Sequence, residues 1–592
     1  TLAGNLSISF GGNGTAVGIS NVTLVTDNIT EAYIGDNAIV NAKGNGSGLA
    51  VYTGLKKNDA KTTEPVKGLA VVAVSFEDID SFAVGGSVGG GNGIAGSATV
   101  SVMDETTTAR IGTSAKINSG GNSGAGSDQS VLVRAADDTY LLGVAGGIWA
   151  GVDVAVITKE TRDYIDAGAQ VNAKRDVKVE AISGEEVMSI TGSGGVGKSV
   201  GIAGSVGVSV YTLTTEAFIE GNKTVNNVAL SGAKVNADGS VKVAAEDRTE
   251  IDMIAGTIAG GQSAGIGAAI GVPIVTKTTR AFIGSNAEVN ARANHADGVT
   301  VKTGEFKGTM IPDPLGVLDD ADQGKVPSMT SAAGLGNSGY TSKRIATAGE
   351  VANFKGVAVS AVNQDDIAAW AAGIGGAIQG AAVQFSAVVS VVTSDTLAYI
   401  ADNAKVNANQ NTSGAGTGQS VLVTAGNEYF FKGFAGGVTV AGQGAAVTPG
   451  VFVGVIVNTV KAYIGQLAQV EARGDVLVVA NASEEFLSLA MAIAGAGEGA
   501  GVAGSVVVIV LDAVTYAYID QNARVDAGGN ARVAAADVTE ADAIIGSLGL
   551  AGLGAGVGVS VGVTTISKDT RAYIAANATV NARGNSVNRL QT

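Results

Sequence analysis

The sequence predicts an all-β fold, an elongated parallel β-helix (β-solenoid) of about nine Gly/Ala-rich units, and three observations lead to it. The first is a repeat. The string Ala281-Phe282-Ile283-Gly284-Ser285-Asn286-Ala287-Glu288-Val289-Asn290-Ala291 recurs from Ala32-Tyr33-Ile34-Gly35 to Ala572-Tyr573-Ile574. Its aromatic positions are Tyr33, Tyr164, Phe218, Phe282, Tyr399, Tyr463, Tyr518 and Tyr573, with Arg110 standing in the remaining copy. Successive spacings are 77, 54, 54, 64, 117, 64, 55 and 55 residues. A floor near 54 with additions on top is one structural unit with loops inserted, the mark of a stacked array. The second observation is a period of two. In 200–210, Val200, Ile202, Val206, Val208 and Val210 alternate with Gly201, Ala203, Ser205, Gly207 and Ser209. That is a strand with one face for a core and one flat face. The third is turn chemistry: Asn45-Gly46, Asp238-Gly239 and Asp297-Gly298 punctuate the runs.

The cleanest unit runs from Tyr518 to Ala572. Short strands are expected at Tyr518-Ile519, Ala523 to Ala527 and Ala531 to Ala535, then an acidic step at Asp537 and Glu540, then an apolar run from Ile544 to Thr565. At ~18–27 residues per coil, each unit would hold two or three coils, and nine units would reach on the order of 100 Å at ~4.8 Å per strand step. Stacked antiparallel β-hairpins are the alternative, kept open by the Gly-rich hinge Gly195-Val196-Gly197. Residues 543–567 carry no charge and 487–511 only Glu498, long enough for membrane helices. Lys198 and Asp153 in the same column, and the persistent alternation, favour buried strands and no transmembrane helix.

Insertions fall between strands. One spans 43–67. The largest, 304–352, holds Pro312, Pro314 and Pro327 and few strand-like runs. It divides the array into a front block, 1–303, and a rear block, 353–592, and reads as a loop or small subdomain.

Composition narrows function. The 592 residues exceed what one compact core fills, whereas each unit of an array needs only its neighbours. A net charge of −16 without a basic tract makes no nucleic-acid binder. Without cysteine there is no disulfide, thiolate zinc site or thiol nucleophile, and one histidine, His295, builds no multi-His centre. Gly192 to Ser199 satisfies the letters of a phosphate-binding loop, but a period-two strand follows where a helix is required. Enzymatic activity is not expected. The paired carboxylates Asp319 and Asp322 would be the place to look for a polysaccharide-acting enzyme.

The candidate metal ligands are carboxylates that recur just past each Val-x-Val strand: Asp137, Asp138, Glu185, Glu186, Asp365, Asp366, Glu484 and Glu485. A line of them suits Ca²⁺, a hard ion that takes several oxygens. The reading preferred over a metal site is a solvated edge whose like charges keep rods apart, with no cofactor expected. No other cofactor is suggested. The Asn of Val-Asn-Ala (Asn118, Asn172, Asn236, Asn290, Asn407) reads as a turn-satisfying column, and the Tyr/Phe column as packing.

The unit Ala-Tyr-Ile-Gly-x-Asn-Ala-x-Val-x-Ala, followed by Val-x-Val-x-Ala and alternating strands, resembles the repeats of large bacterial surface proteins, the leukotoxin-type filamentous adhesins related to the filamentous-haemagglutinin group. The resemblance implies a parallel β-helix, export across an outer membrane, and adhesion or toxicity. The expected function is an extracellular structural and adhesive rod at the bacterial cell surface. A membrane-active toxin is the alternative. The chain starts and stops within a unit, and its partners are expected to be further repeats of a longer parent chain or copies of itself head to tail. The joint would use Leu6, Ile8 and Phe10 at one end and Tyr573, Ile574, Val580 and Val587 at the other.

Overall fold

Val, Ile and Thr alternating with Gly, Ala and Ser suit extended backbone, because β-branched side chains fit a pleated surface and repeated glycine disfavours a helix. The computed structural model describes all residues except 12–15, 58–59, 90–92, 121, 313–341, 409–413 and 586–592. Among the described residues every regular element is a strand. The strands form three sheets of nine, each strand paired in parallel with its equivalents one unit before and after. Tyr164, for example, pairs with Phe218 and Arg110, and Phe218 with Phe282. The parallel β-helix is the observed fold.

The number of coils per unit is corrected. Each unit is one coil, not two or three. Coil 4 consists of Val177–Gly197 (21 residues) in sheet 1, Val200–Ile219 (20 residues) in sheet 2 and Lys234–Ala237 (4 residues) in sheet 3. What looked like several short strands and a step is one long strand. Eight steps of ~4.8 Å then stack nine coils into only ~38 Å. The coil is wide and the stack short.

Among the described residues antiparallel pairing is confined to three hairpins, which fall in the spacings of 77, 117 and the first of 64: Leu49–Lys57 with Ala60–Val66, Lys223–Val225 with Val228–Leu230, and Val299–Pro312 with Ser342–Phe354. The 304–352 insertion therefore has strand stems, contrary to the expectation of few strands. It also leaves the array intact: Val241–Gly261 of coil 5 pairs directly with Gly356–Ala377 of coil 6 across the proposed division into front and rear blocks. Asp319 and Asp322 lie outside the described residues.

Each coil is a wedge. At the broad end sheet 3 closes a triangle around Val, Ile and Ala, including Ile165, Val171, Val179 and Ile219, all fully buried. Sheets 1 and 2 then converge toward a tight turn. A second apolar layer, with Ile157, Val187, Tyr211 and Met253, fills the middle. Near the turn only Ala remains, as at Ala441, Ala446, Ala494 and Ala503. Here the two backbones touch: a Cβ on Gly195 would lie 1.7 Å from the Ile202 carbonyl oxygen, and one on Gly201 2.0 Å from that of Gly260. Glycine is required because nothing larger fits between the sheets.

That convergence determines which face is inside. Gly201, Ala203, Ser205, Gly207 and Ser209 are buried, while Ile202, Val206, Val208 and Val210 point outward. The small face is the inner one. The charge-poor runs 487–511 and 543–567 are pairs of such strands joined at the turn, with most of their large side chains on the outer surface and Val507, Ile509 and Leu511 turned into the middle layer. No helix among the described residues is long and apolar enough to cross a membrane.

Candidate functional site

Two constellations of charge stand out, one inside the wedge and one on its outer face. The inner one lies between the two apolar layers. Two adjacent inward positions of sheet 1 read Ser75 and Glu77 in coil 2, Asp137 and Thr139 in coil 3, Ser183 and Glu185 in coil 4, Asp247 and Thr249 in coil 5, and Asn363 and Asp365 in coil 6. The carboxylate alternates between the columns, so like charges do not stack directly at the ~4.8 Å strand spacing. Opposite, one column of sheet 2 supplies Glu105, Lys159, Lys277, Asn458 and Lys568.

Each buried lysine ties two coils together. Lys159 Nζ lies 2.8 Å from Asp137 and 3.1 Å from Glu185 of the next coil. Lys277 Nζ lies 2.7 Å from Asp247 and 2.9 Å from Asp365 of the next coil. Lys568 pairs with Asp537 of its own coil and reaches Glu484 of coil 8 at 4.0 Å. Burial opposes both internal ammonium charges, but the carboxylates outweigh it and raise Lys159 and Lys277 above the ordinary lysine value. Thr107, Thr215 and Thr515 donate to Asp137, Asp247 and Asp537 at 2.7, 2.6 and 3.0 Å. In coils 6 to 8 the ladder continues through neutral amides: Asn427 donates to Asn458 (2.7 Å), which donates to Glu484 (2.7 Å).

At the coil 2 end, Glu77, Glu105 and Asp137 bring carboxylate oxygens within 4.8 Å of one another. Glu77 Oε2 and Glu105 Oε1 are enclosed with no hydrogen-bond partner among the described residues. Burial first, then the neighbouring carboxylates, push Glu77 up to about 8 and Glu105 to about 7. Near neutral pH Glu77 and Glu105 are therefore partly protonated.

The structure splits each of the four carboxylate pairs predicted as metal ligands, because neighbours on a strand face opposite ways. Asp137, Glu185, Asp365 and Glu484 point inward into the ladder and are buried. They are not a solvated edge, and the expectation of one is corrected for these four. Asp138, Glu186, Asp366 and Glu485 point outward and are half-buried. Asp138 is bound by Lys56 of the first hairpin at 2.8 Å.

The outer constellation is a cleft across sheet 1. The first hairpin lies over coils 2 to 4, where Arg134 donates to the Tyr52 carbonyl at 3.2 Å and pairs with Glu64. The third hairpin lies over coils 6 to 8, with Val299, Val301 and Phe354 packed on Leu422 and Leu477. Between them runs a groove with hollows of 590 and 330 Å³, walled by Pro65 and Val66 on one side and Val299 and Thr347 on the other. Its floor includes Lys178, Lys242 and Arg248, with Glu180 beneath. Burial raises Glu180, but Lys242, Arg134 and Lys178 outweigh it and hold the carboxylate well below its usual range.

Other predicted columns are structural. Tyr164, Phe218, Phe282, Tyr399, Tyr463, Tyr518 and Tyr573 stack face to face, with centroids 4.7–5.0 Å apart and planes within 2°. Arg110 continues the column by lying over Tyr33 at 4.8 Å. The asparagines form an axial ladder, Asn290 to Asn236 (2.9 Å) to Asn172 (3.2 Å). Gly192 to Ser199 is the end of one strand and its turn. At the ends, Leu6, Ile8, Phe10, Tyr573 and Ile574 are exposed and Val580 is half-buried, while Val587 lies outside the described residues.

The three lysines escaped sequence reasoning, yet a signal existed. Lys159, Lys277 and Lys568 each precede the aromatic of their unit by five residues, as does Glu105 before Arg110. No protein-family model, curated protein or solved structure matches the chain.

Proposed function

We propose that the chain is an extracellular structural and adhesive rod of a bacterial surface protein, built by adding coils along one axis. The observation that carries this reading is the unbroken axial register: three parallel sheets run through nine coils, past every insertion, and end in unpaired strand edges. Such edges are templates for another strand. The upper edge of Gly556–Ile574 and the lower edge of Leu2–Gly11 would each accept a further coil, from the same chain or from a second copy joined head to tail. A heterologous contact of this kind extends without closing. The hairpins interrupt the regular outer surface, and the cleft between them is where a receptor would be read. Two experiments test the reading. Deleting residues 572–592 should abolish end-to-end filaments seen by electron microscopy, and filaments unchanged by the deletion would remove the joint. Loss of the gene should reduce attachment of the source cell to other cells or surfaces, and unchanged attachment would remove the adhesive role.

A further inference from the structure

We infer that two copies of the chain pair side by side through the outer face of sheet 2, in the thin half of the wedge. The face consists of β-branched residues in register. Eight successive coils present Val100, Val154, Val208, Val272, Val389, Val453, Val508 and Val563 in one axial row. The flanking rows are of the same kind, Val206 with Ile270 on one side and Val210 with Ile274 on the other. All of these point outward and are partly exposed. From coil 4 to coil 9 the two strands of the thin half carry only Lys198 and Glu498 as charges, both in turns.

Size argues for a partner. About ten residues at ~3.3 Å by eight coils at ~4.8 Å give a face of ~1,300 Å². Isolated apolar patches on monomers reach ~300–600 Å². Two such faces together would bury ~2,500 Å², in the range of permanent homodimers. Shape argues for the same partner. The inner side of these strands is mostly Gly, Ala and Ser, so the outward Val and Ile are half of a sheet-on-sheet core, and an identical flat face supplies the other half at ~10 Å. A row of Thr158, Thr212, Thr276 and Thr393 borders the apolar field before the charged residues begin, giving a dry centre and a polar rim.

A lipid bilayer fits the same face less well. The turns that would enter deepest carry Lys198, Gln262, Gln379, Gln443 and Glu498.

The contact is lateral and independent of the head-to-tail joint, so each can fail alone. The test is sedimentation of the purified full chain at about 1–10 µM, the concentration range typical of a specific pair. The chain should sediment as a pair. The triple variant Val208→Lys, Val272→Lys, Val453→Lys should sediment as a single chain with an unchanged β circular-dichroism signal. If the lysine variant misfolds, Val→Thr at the same positions keeps the shape and should weaken pairing at least tenfold. Deleting 572–592 should leave the pair intact. A wild-type chain that stays single at these concentrations, or variants that pair as tightly as wild type, would overturn the inference. So would a single wild-type chain that floats with phosphatidylcholine vesicles, which would assign the face to lipid.

Discussion

Replacing Lys277 by Met removes the one cation between Asp247 and Asp365 while keeping the length of the side chain. Lys277 and both carboxylates are at most 1% exposed, so no water replaces the lost partner. Breaking a buried ion pair from one side costs about 3–5 kcal/mol. The pH dependence follows from Asp247. Burial already lifts Asp247 to about 7 with Lys277 in place, and losing the cation lifts it further. An acid whose folded value lies above its unfolded value binds more protons when folded, so stability rises as pH falls toward the unfolded value. The variant should therefore lose most at pH 8 and recover much of the loss near pH 5, where Asp247 is neutral. Urea denaturation at the two pH values measures this. Because an array can open locally, hydrogen exchange of coils 5 and 6 should show the loss concentrated there. Adding Asp247→Asn and Asp365→Asn to Lys277→Met should restore stability at pH 8. A variant as stable as wild type at pH 8, or a loss that does not change with pH, would refute the ladder as described.

Further outcomes are expected elsewhere. Glu77→Gln with Glu105→Gln should raise the urea midpoint at pH 8.5 and leave it unchanged at pH 5, because both folded-state values lie above the ordinary 4.5 and stability is lost as pH rises through about 7 to 8. Gly201→Val should destabilise by about 1–3 kcal/mol or more, since even its Cβ would meet the Gly260 carbonyl at 2.0 Å; thermal melting reads the loss. Phe282→Ala breaks two ring stacks, at Phe218 and Tyr399, and should cost about 1–3 kcal/mol beyond the area lost, measured by the same melts.

The sequence showed strands and period plainly, because alternation and a spacing floor survive every insertion, while the hinge Gly195-Val196-Gly197 left antiparallel stacking open beside the parallel one. Two features were hidden. Strands average about 5–6 residues, so a 21-residue strand such as Val177–Gly197 reads naturally as several pieces. The inner face was hidden because large apolar residues ordinarily mark the core. In 200–210 that expectation fails, since two backbones in contact leave room inside only for Gly, Ala and Ser. The carboxylate columns were visible, but their direction was not. Asp137 and Asp138 differ by one residue, and only the register shows that the first meets Lys159 and the second Lys56. The cleft depends on where two hairpins fold back, which no local pattern encodes.

The most direct test of one coil per unit is a distance along the stack. The chain has no cysteine, so two introduced thiols can be spin-labelled without background. Gln170 in coil 3 and Arg524 in coil 8 are exposed, occupy the same register of sheet 3 and are five steps apart. With ~4.8 Å per step, double electron–electron resonance on Gln170→Cys with Arg524→Cys should report a narrow distribution near ~24 Å, broadened only by the labels. Two or three coils per unit would place the labels ~48–72 Å apart, and a distance in that range would contradict the architecture.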